Sequence, residues 1–216
     1  MKVFEHVSLK SYNTFGLDVK ARYFAEISSL EGYLRVCESG KYAHVPHLFL
    51  GGGSNILLTK DVDALVLKMD IQGIEVIQET KDFIWVRAGA GVIWHDFVQY
   101  AVEHQWAGIE NLALIPGTVG AAPMQNIGAY GVEIKDTFDH LDALNLTTLE
   151  VERFDTLRCA FGYRESYFKH AGKGNYLIAS VCFRLNKKAN PQTSYGAIQS
   201  VLSEKGISHP SIKNVA

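Results

Sequence analysis

Residues 111–131 read Asn-Leu-Ala-Leu-Ile-Pro-Gly-Thr-Val-Gly-Ala-Ala-Pro-Met-Gln-Asn-Ile-Gly-Ala-Tyr-Gly, with four glycines, two prolines and no charged side chain. Glycine and proline at this density interrupt helices and strands, so the stretch predicts a shaped loop. Small side chains also let backbone N–H groups approach a ligand, above all a phosphate that needs several aligned donors. Pro116 followed by Gly117, Thr118 and Val119 suits the first turn of a short helix whose free amides point at an anion. A packed structural loop is the alternative.

A second glycine-rich stretch follows the apolar run 45–50, which predicts a strand that ends in Gly51-Gly52-Gly53-Ser54-Asn55. Ile56 stands where a dinucleotide fingerprint or a nucleophile elbow requires glycine, and no Gly-Lys-Ser/Thr follows as in a Walker A loop. The stretch is therefore a candidate phosphate cradle of none of these types. A tight turn between strands is the alternative.

Composition indicates a globular protein, because 47% of the 216 residues are apolar and 20% are charged. The net charge of -2 gives no electrostatic footprint for nucleic acid. Three cysteines without Cys-x-x-Cys spacing suggest neither disulfides nor zinc and fit a reducing cytoplasm. His44 and His47 lack a carboxylate companion, so no metal site is predicted. No apolar run suits a signal peptide or a bilayer span, and we expect a cytoplasmic protein without a membrane partner.

The remaining pattern predicts an α+β fold. A capping box at Ser28 and Glu31 opens a helix to about Ser39, and an amphipathic helix runs from Trp94 to near Gly108. A third helix covers 194–205. Trp94 and Trp106 are expected in the core rather than against a cofactor. Strands are predicted at 22–27, 45–50, 64–69, 74–77, 83–88, 141–146, 150–154 and 176–185, the last central because it is almost continuously apolar.

A third motif is Phe-Gly-Tyr-Arg-Glu-Ser-Tyr-Phe-Lys at 161–169. Tyr163 and Arg164, next to Glu165 and Lys169, can bind a carboxylate or a phosphate, because guanidinium offers a planar fork of donors. A solvated loop with surface charges is the alternative. Tyr195 lies at the start of the last helix, where a mobile side chain could reach a ligand.

The glycine triplet, the loop 115–131 and the 161–169 motif occur in this order and spacing together with Asn13-Thr14-Phe15 and the segments 108–112 and 193–196. Together they closely resemble the UDP-N-acetylenolpyruvoylglucosamine reductase family from about Ser8 onward. The resemblance implies a two-subdomain FAD-binding fold of the vanillyl-alcohol oxidase / p-cresol methylhydroxylase type. Subdomain 1 would cover residues 1–70 and subdomain 2 residues 71–216.

The resemblance also implies site residues. Arg164 and Tyr163 would be catalytic, with Arg164 stabilising charge on the substrate carboxylate, and Tyr163, Arg164 and Tyr195 would bind substrate. Residues expected to bind FAD are Gly51, Gly52, Gly53, Ser54, Asn55, Ile115, Pro116, Gly117, Thr118, Val119, Gly120, Ala122, Gln125, Asn126, Ile127, Gly128, Arg164 and Ile178.

The implied activity is an FAD-dependent, NADPH-consuming reduction of UDP-N-acetylglucosamine enolpyruvate to UDP-N-acetylmuramate in peptidoglycan synthesis, carried out by a monomer. The family's proton-donor serine, in a Gly-Ser-Phe-Phe-Lys stretch, its assisting glutamate and its substrate-binding third domain do not occur in these 216 residues. We therefore expect a truncated chain that keeps FAD and turns over poorly or not at all. A flavin-dependent alcohol oxidase of the same fold and a non-catalytic FAD-binding module are the alternatives.

Overall fold

The computed structural model describes residues 1–216 and contains two main sheets. The helices are α1 Leu30–Glu38, α2 Trp94–Glu103, α3 Thr156–Cys159, α4 Gly196–Glu204 and α5 Ile212–Val215, with 3-10 helices at Lys10–Tyr12, Glu110–Leu112, Val119–Gln125, Ile134–Asp136 and Tyr167–Lys169. The strands are β1 Phe4–Ser8, β2 Lys20–Ile27, β3 His47–Leu50, β4 Val62–Met69, β5 Ile74–Glu79, β6 Phe83–Gly89, β7 Gly128–Ala129, β8 Val132–Glu133, β9 Phe138–Asn145, β10 Val151–Asp155 and β11 Tyr176–Asn186. No helix among them has the length and apolar character that crossing a lipid bilayer requires.

The first sheet has the order β1-β2-β4-β3, with β2 and β3 parallel to β4 and β1 antiparallel at the edge. Its buried strand β4 alternates sides: Leu65 and Leu67 pack with Tyr33 of α1, whereas Val66 packs with Leu9 on the opposite face. Cover on both faces explains why β4 reads as a continuous apolar run. The strand β3 leads directly into the glycine triplet at one end of this sheet.

The second sheet is antiparallel, with the order β10-β9-β11-β6-β5, and β11 is central as predicted. One face carries the largest core cluster, in which Trp94 and Phe97 of α2 contact Phe183 of β11. The Trp94 side chain is fully buried and donates to the Leu112 carbonyl at 2.8 Å, so its predicted core role is confirmed. Trp106 is partly buried against the same cluster.

The two sheets share a small core, because Ala90, Leu144 and Leu177 from the second part of the chain belong to the cluster around α1. Strands of the first sheet end at Met69 and those of the second begin at Ile74. The boundary at 70/71 remains our proposal for the division into subdomains.

Several predicted boundaries differ from the structure. The cap of α1 is Ser29 rather than Ser28, and its hydroxyl accepts from the Gly32 amide at 3.1 Å. The helix α2 ends at Glu103 instead of near Gly108, because the chain turns into the left-handed region at Gln105. The edge strand β1 was not predicted, since four of its five residues are exposed and carry no alternating pattern.

Candidate functional site

The two glycine-rich stretches lie against each other at the backbone level. A Cβ added to Gly52 would lie 2.8 Å from the Gly117 Cα, and one added to Gly51 would lie 3.2 Å from the Thr118 hydroxyl oxygen. A Cβ on Gly117 would in turn lie 3.4 Å from the Ser54 hydroxyl oxygen. The prediction that the two stretches fold together is confirmed. Their contact requires the missing side chain at Gly52.

The first stretch is held in place by the N-terminal segment. Gly53 has φ +66°, and a Cβ there would lie 2.0 Å from the Tyr12 carbonyl oxygen. The Thr14 amide donates to the Gly53 carbonyl at 3.2 Å. The buried Asn13 amide group donates to the Leu9 carbonyl at 2.7 Å and fixes this segment. In the sequence, only the family resemblance connects Asn13 and Thr14 with the site.

Six main-chain donors remain unused where the stretches meet. The amides of Gly52, Gly53, Ser54, Asn55, Gly117 and Thr118 donate to no main-chain acceptor of the protein. We call residues 52–55 together with Gly117 and Thr118 the amide cradle. Clustered backbone N–H groups of this kind bind anions such as phosphate.

The prediction of free amides at a helix starting near Pro116 was wrong in part. The 3-10 helix begins only at Val119, whose amide donates to the Val92 carbonyl at 2.9 Å, and the Gly120 amide donates to the Ala90 carbonyl at 3.0 Å. Gly120 allows this approach, because its Cβ would lie 2.4 Å from that of Ala90. Val119 and Gly120 thus attach the loop to the turn after β6, and the free amides are those of Gly117 and Thr118.

The cradle also contains an unpartnered hydroxyl and opens into cavities. The Thr118 hydroxyl oxygen is buried without any hydrogen-bond partner, a state that costs free energy until a donor or acceptor arrives. A cavity of about 300 Å³ is lined by Ser54, Asn55 and Gln125, and a second of about 880 Å³ by Gly52 and Lys68. Residues 116–118 line both cavities, so the two cavities border the same segment. These features fit a long ligand with phosphates at its middle.

Lys68 was not identified from the sequence, because it lies within the apolar run of β4. Its ammonium group donates to the Met69 carbonyl at 2.9 Å, and burial lowers its pKa. It lines the same cavity as Gly52. Lys68 therefore brings one positive charge to this cavity, which Asp70 and Asp96 also line.

The predicted substrate residues lie on a two-residue turn. Gly162 and Glu165 exchange amide-to-carbonyl hydrogen bonds of 3.0 and 3.2 Å, with Tyr163 and Arg164 between them, and we call residues 162–165 the Arg164 turn. Arg164 has φ +56°, which is unfavourable for a residue with a side chain. Its guanidinium donates to the Gly128 carbonyl, and the Tyr163 side chain is 83% exposed.

The structure brings Tyr195 to this turn. A cavity of about 410 Å³ is lined by Gly128, Tyr130, Tyr163, Arg164 and Tyr195, among others. The rings of Tyr130 and Tyr195 meet edge to face at 5.6 Å. Tyr130 was not predicted as a site residue. Its position was hidden in the glycine loop, where nothing marks it as a neighbour of a helix 65 residues later.

The charges beside Arg164 are paired among themselves. Glu165 accepts from Lys169 at 3.2 Å and contacts His170 at 2.5 Å, and these hydrogen bonds, that of Lys169 first, lower the pKa of the Glu165 carboxyl. Lys169 also donates to the Arg164 carbonyl at 2.8 Å and lines the 300 Å³ cavity. The Glu165 carboxylate is therefore paired with Lys169 and His170 rather than with Arg164, so the Arg164 guanidinium is available to an anionic ligand.

Comparison with known protein families matches residues 22–152 to the family described as FAD binding domain. The match covers more than half of the chain. The chain belongs to the FAD-binding domain family. Its cofactor is accordingly FAD, a dinucleotide with a pyrophosphate at its centre. The amide cradle offers the donors that such a group requires.

Similar proteins define the relationship further. The chain is 46% identical over its whole length to the UDP-N-acetylenolpyruvoylglucosamine reductase of Flavobacterium johnsoniae, covering 64% of that protein. It is 50% identical over 93% of its length to the reductase of the same name from Burkholderia multivorans, covering 57% of it. The chain thus spans about three fifths of the length of these relatives. The family resemblance is confirmed.

Solved structures give the same result. The crystal structure of UDP-N-acetylenolpyruvylglucosamine reductase from Thermus caldophilus matches with a TM-score of 0.68 and 25% identity, over 98% of this chain and 71% of that one. Cholesterol oxidase from Brevibacterium sterolicum matches with a TM-score of 0.59 and 14% identity, over 86% of this chain and 37% of that one, which shows the fold alone. The predicted α+β FAD-binding fold is confirmed.

Several of the predicted FAD contacts are buried residues. Val119, Ala122, Asn126, Ile127 and Ile178 are all buried. Ile178 lies on β11, which packs against the 3-10 helix Val119–Gln125. Ala122 and Ile127 also line the 300 Å³ cavity. The roles of these residues in binding FAD stay predictions, and burial favours main-chain contact for Val119, Asn126 and Ile178.

One group of metal-ligating side chains lies outside the amide cradle. Asp139, His140 and Cys182 have ligand atoms within 4.8 Å of one another. Asp139 already bonds His140 at 2.7 Å and Trp85 at 2.9 Å, and Arg184 adds positive charge beside it. An arginine disfavours a cation there, and the cluster is explained by its protein partners.

Proposed function

We propose that this chain is the FAD-binding part of a UDP-N-acetylenolpyruvoylglucosamine reductase and contributes its carboxylate-binding arginine. The reaction would be the NADPH-dependent reduction of UDP-N-acetylglucosamine enolpyruvate to UDP-N-acetylmuramate, in the cytoplasm, for peptidoglycan synthesis. The observation that carries this proposal is the joining of the amide cradle and the Arg164 turn by the single segment 117–128. The similarity to proteins named UDP-N-acetylenolpyruvoylglucosamine reductase supports the same reaction.

In this proposal the six free amides of the cradle would hold the FAD pyrophosphate, and the Thr118 hydroxyl would find a hydrogen-bond partner on the cofactor. FAD, reduced by NADPH, would supply the hydride. Lys68, half-buried beside Gly52, would offset part of the pyrophosphate charge. Backbone donors suffice for the remainder, which accounts for a loop of 21 residues without a charged side chain.

Arg164 would bind the substrate carboxylate. Its guanidinium is oriented by the Gly128 carbonyl, lies at the wall of the 410 Å³ cavity and has no carboxylate partner. Negative charge grows on the substrate carboxylate as the double bond is reduced, and a fixed donor aimed at developing charge contributes about 3 to 4 kcal/mol. Tyr163 would line the same pocket. Tyr195, half exposed at the start of α4, would close over the diphosphate of the substrate.

The 216 residues contain no Gly-Ser-Phe-Phe-Lys stretch for the family's proton donor. We therefore infer that this polypeptide by itself, as a monomer, binds FAD but reduces the substrate poorly. We thus expect FAD binding without efficient substrate reduction.

The test measures both on the purified, FAD-loaded protein. UDP-N-acetylglucosamine enolpyruvate should perturb the visible flavin absorption, and Arg164→Ala should abolish the perturbation while FAD stays bound. Oxygen consumption with a small alcohol, independent of Arg164, would favour an oxidase instead. Substrate-dependent NADPH oxidation at the rate of a full-length relative would refute the inference of poor turnover, and absence of any flavin perturbation would refute the substrate.

A further inference from the structure

Asn126 occupies an unusual position between the cradle and the Arg164 turn. It ends the 3-10 helix Val119–Gln125 in the left-handed region, with φ +44° and ψ +63°, and it is fully buried. Asparagine tolerates this conformation better than other residues with a side chain. Its side chain therefore enters the protein interior from the end of this 3-10 helix.

Both ends of that side chain bond to distant segments. The Nδ2 group donates to the Gly162 carbonyl at 2.8 Å, 36 residues away, and Oδ1 accepts from the Lys135 amide at 3.2 Å. Gly162 is the first residue of the Arg164 turn, and its carbonyl also accepts from the Glu165 amide. Asn126 is thus bonded to the base of the turn that presents the guanidinium.

Two further bonds join the same segments. The Ser166 hydroxyl donates to the Met124 carbonyl at 2.7 Å, and the Arg164 guanidinium donates to the Gly128 carbonyl. Asn126 lies midway between these two acceptors in sequence. These bonds attach the strained Arg164 turn to the loop that carries the cradle. Arg164, with φ +56°, keeps this conformation only because the surrounding structure holds it.

We propose that Asn126 is a positioning residue for carboxylate binding: through the Gly162 carbonyl it fixes the Arg164 turn, and it does not contact FAD through its side chain. The inference rests on the proposed function. It replaces the expectation that the Asn126 side chain binds the cofactor, since both of its polar groups are bonded to protein. A shift of the guanidinium by a fraction of an ångström would weaken carboxylate binding without altering the six amides of the cradle.

Asn126→Asp tests this directly. The carboxylate keeps the shape and the acceptor for Lys135 but loses the donor to Gly162. In the FAD-loaded protein, we expect the affinity for UDP-N-acetylglucosamine enolpyruvate, followed by flavin absorption, to fall about tenfold or more, with FAD affinity changed less than about threefold. In an Arg164→Ala background, where substrate binding is followed by calorimetry because the flavin signal is lost, the same change should have no further effect on substrate binding, because both residues act through one contact.

Asn13→Asp is the matched comparison. Asn13 is also buried and also donates to a backbone carbonyl, but it supports the first glycine stretch. We expect that variant to weaken FAD instead. Equal losses of FAD and substrate affinity in Asn126→Asp, or an additive loss in the Arg164→Ala background, would show a merely structural role and overturn the proposal.

A second measurement is independent of the substrate. Hydrogen exchange of the Glu165 amide, which closes the turn on the Gly162 carbonyl, should accelerate in Asn126→Asp and in Asn126→Gly, where the left-handed conformation is kept without a side chain. Unchanged exchange at Glu165 in both variants contradicts the role of Asn126. If wild-type protein ignores the substrate while this exchange accelerates, the proposed function fails and the positioning of the turn stands.

Discussion

The amide cradle and the Arg164 turn meet on one segment but are built on opposite principles. The cradle offers main-chain N–H groups and depends on the absence of Cβ atoms at Gly52 and Gly53. The turn offers an exposed tyrosine and a charged arginine from a strained backbone held by side-chain hydrogen bonds. Adding a side-chain atom in the cradle should therefore weaken FAD binding by steric clash. Changing the functional group of Arg164 in the turn should instead weaken substrate binding.

The largest effect is expected for Gly53→Ala. Its Cβ would lie 2.0 Å from the Tyr12 carbonyl oxygen at φ +66°, so the loop or the N-terminal segment must move. FAD titration should show loss of binding, and thermal unfolding a large fall in Tm. Gly174→Ala is the control, since it has φ +76° with nothing within 4 Å. It should cost only the conformational strain of roughly 1–2 kcal/mol and keep FAD. Equal FAD affinities in Gly53→Ala and Gly174→Ala would show that FAD binding does not depend on the close approach at Gly53.

Arg164→Lys tests how the Arg164 turn contributes to substrate binding. Lysine keeps the charge but lacks the planar fork and the bond geometry to the Gly128 carbonyl. Substrate affinity, read from flavin absorption, should fall at least about tenfold, whereas FAD affinity should stay within about threefold. Arg22→Lys, in an exposed ion pair with Asp63 of the first sheet, should change neither. Loss of FAD in Arg164→Lys would mean that the turn belongs to the cradle.

Thr118→Val should have two effects of opposite sign. Removing a buried hydroxyl without a partner should raise the stability of the FAD-free protein by about 1 kcal/mol and weaken FAD by a similar amount. Chemical denaturation with and without FAD measures both. Thr137→Val is the control, because the Thr137 hydroxyl is bonded to the Ile134 carbonyl, and its loss should destabilise the protein and spare FAD. A destabilised FAD-free Thr118→Val protein would show that the hydroxyl already has a partner.

The smallest effect concerns Glu165 and pH. Its pKa is lowered by hydrogen bonds from Lys169 and then His170, so the ionised carboxylate stabilises the turn at neutral pH. That contribution is present above the ordinary glutamate pKa of about 4.3 and is lost as the pH falls through the lower folded value. Glu165→Gln should therefore lower Tm slightly at pH 7, and the difference from wild type should vanish toward pH 3. A difference that does not depend on pH would contradict this assignment.

The sequence predicted what local composition determines. The glycines at 51–53 and 117–131 marked two loops, and the apolar run at 176–185 marked the central strand. The sequence did not report which amides would be used: Val119 and Gly120 bond the turn after β6, an acceptor set by tertiary packing. It also missed Lys68, hidden in an apolar strand, and the bond from Asn126 to Gly162, because both depend on neighbours distant in sequence.

In the proposed complex, main-chain amides of two separate loops hold one dinucleotide. Amide NMR spectra of the isotopically labelled, FAD-free protein during addition of FAD test it most directly. We expect the resonances of Gly52, Gly53, Ser54, Asn55, Gly117 and Thr118 to shift together, with those of Val119 and Gly120 changing less because their hydrogen bonds are internal. Shifts confined to one of the two loops, or centred elsewhere on the protein, would contradict the account.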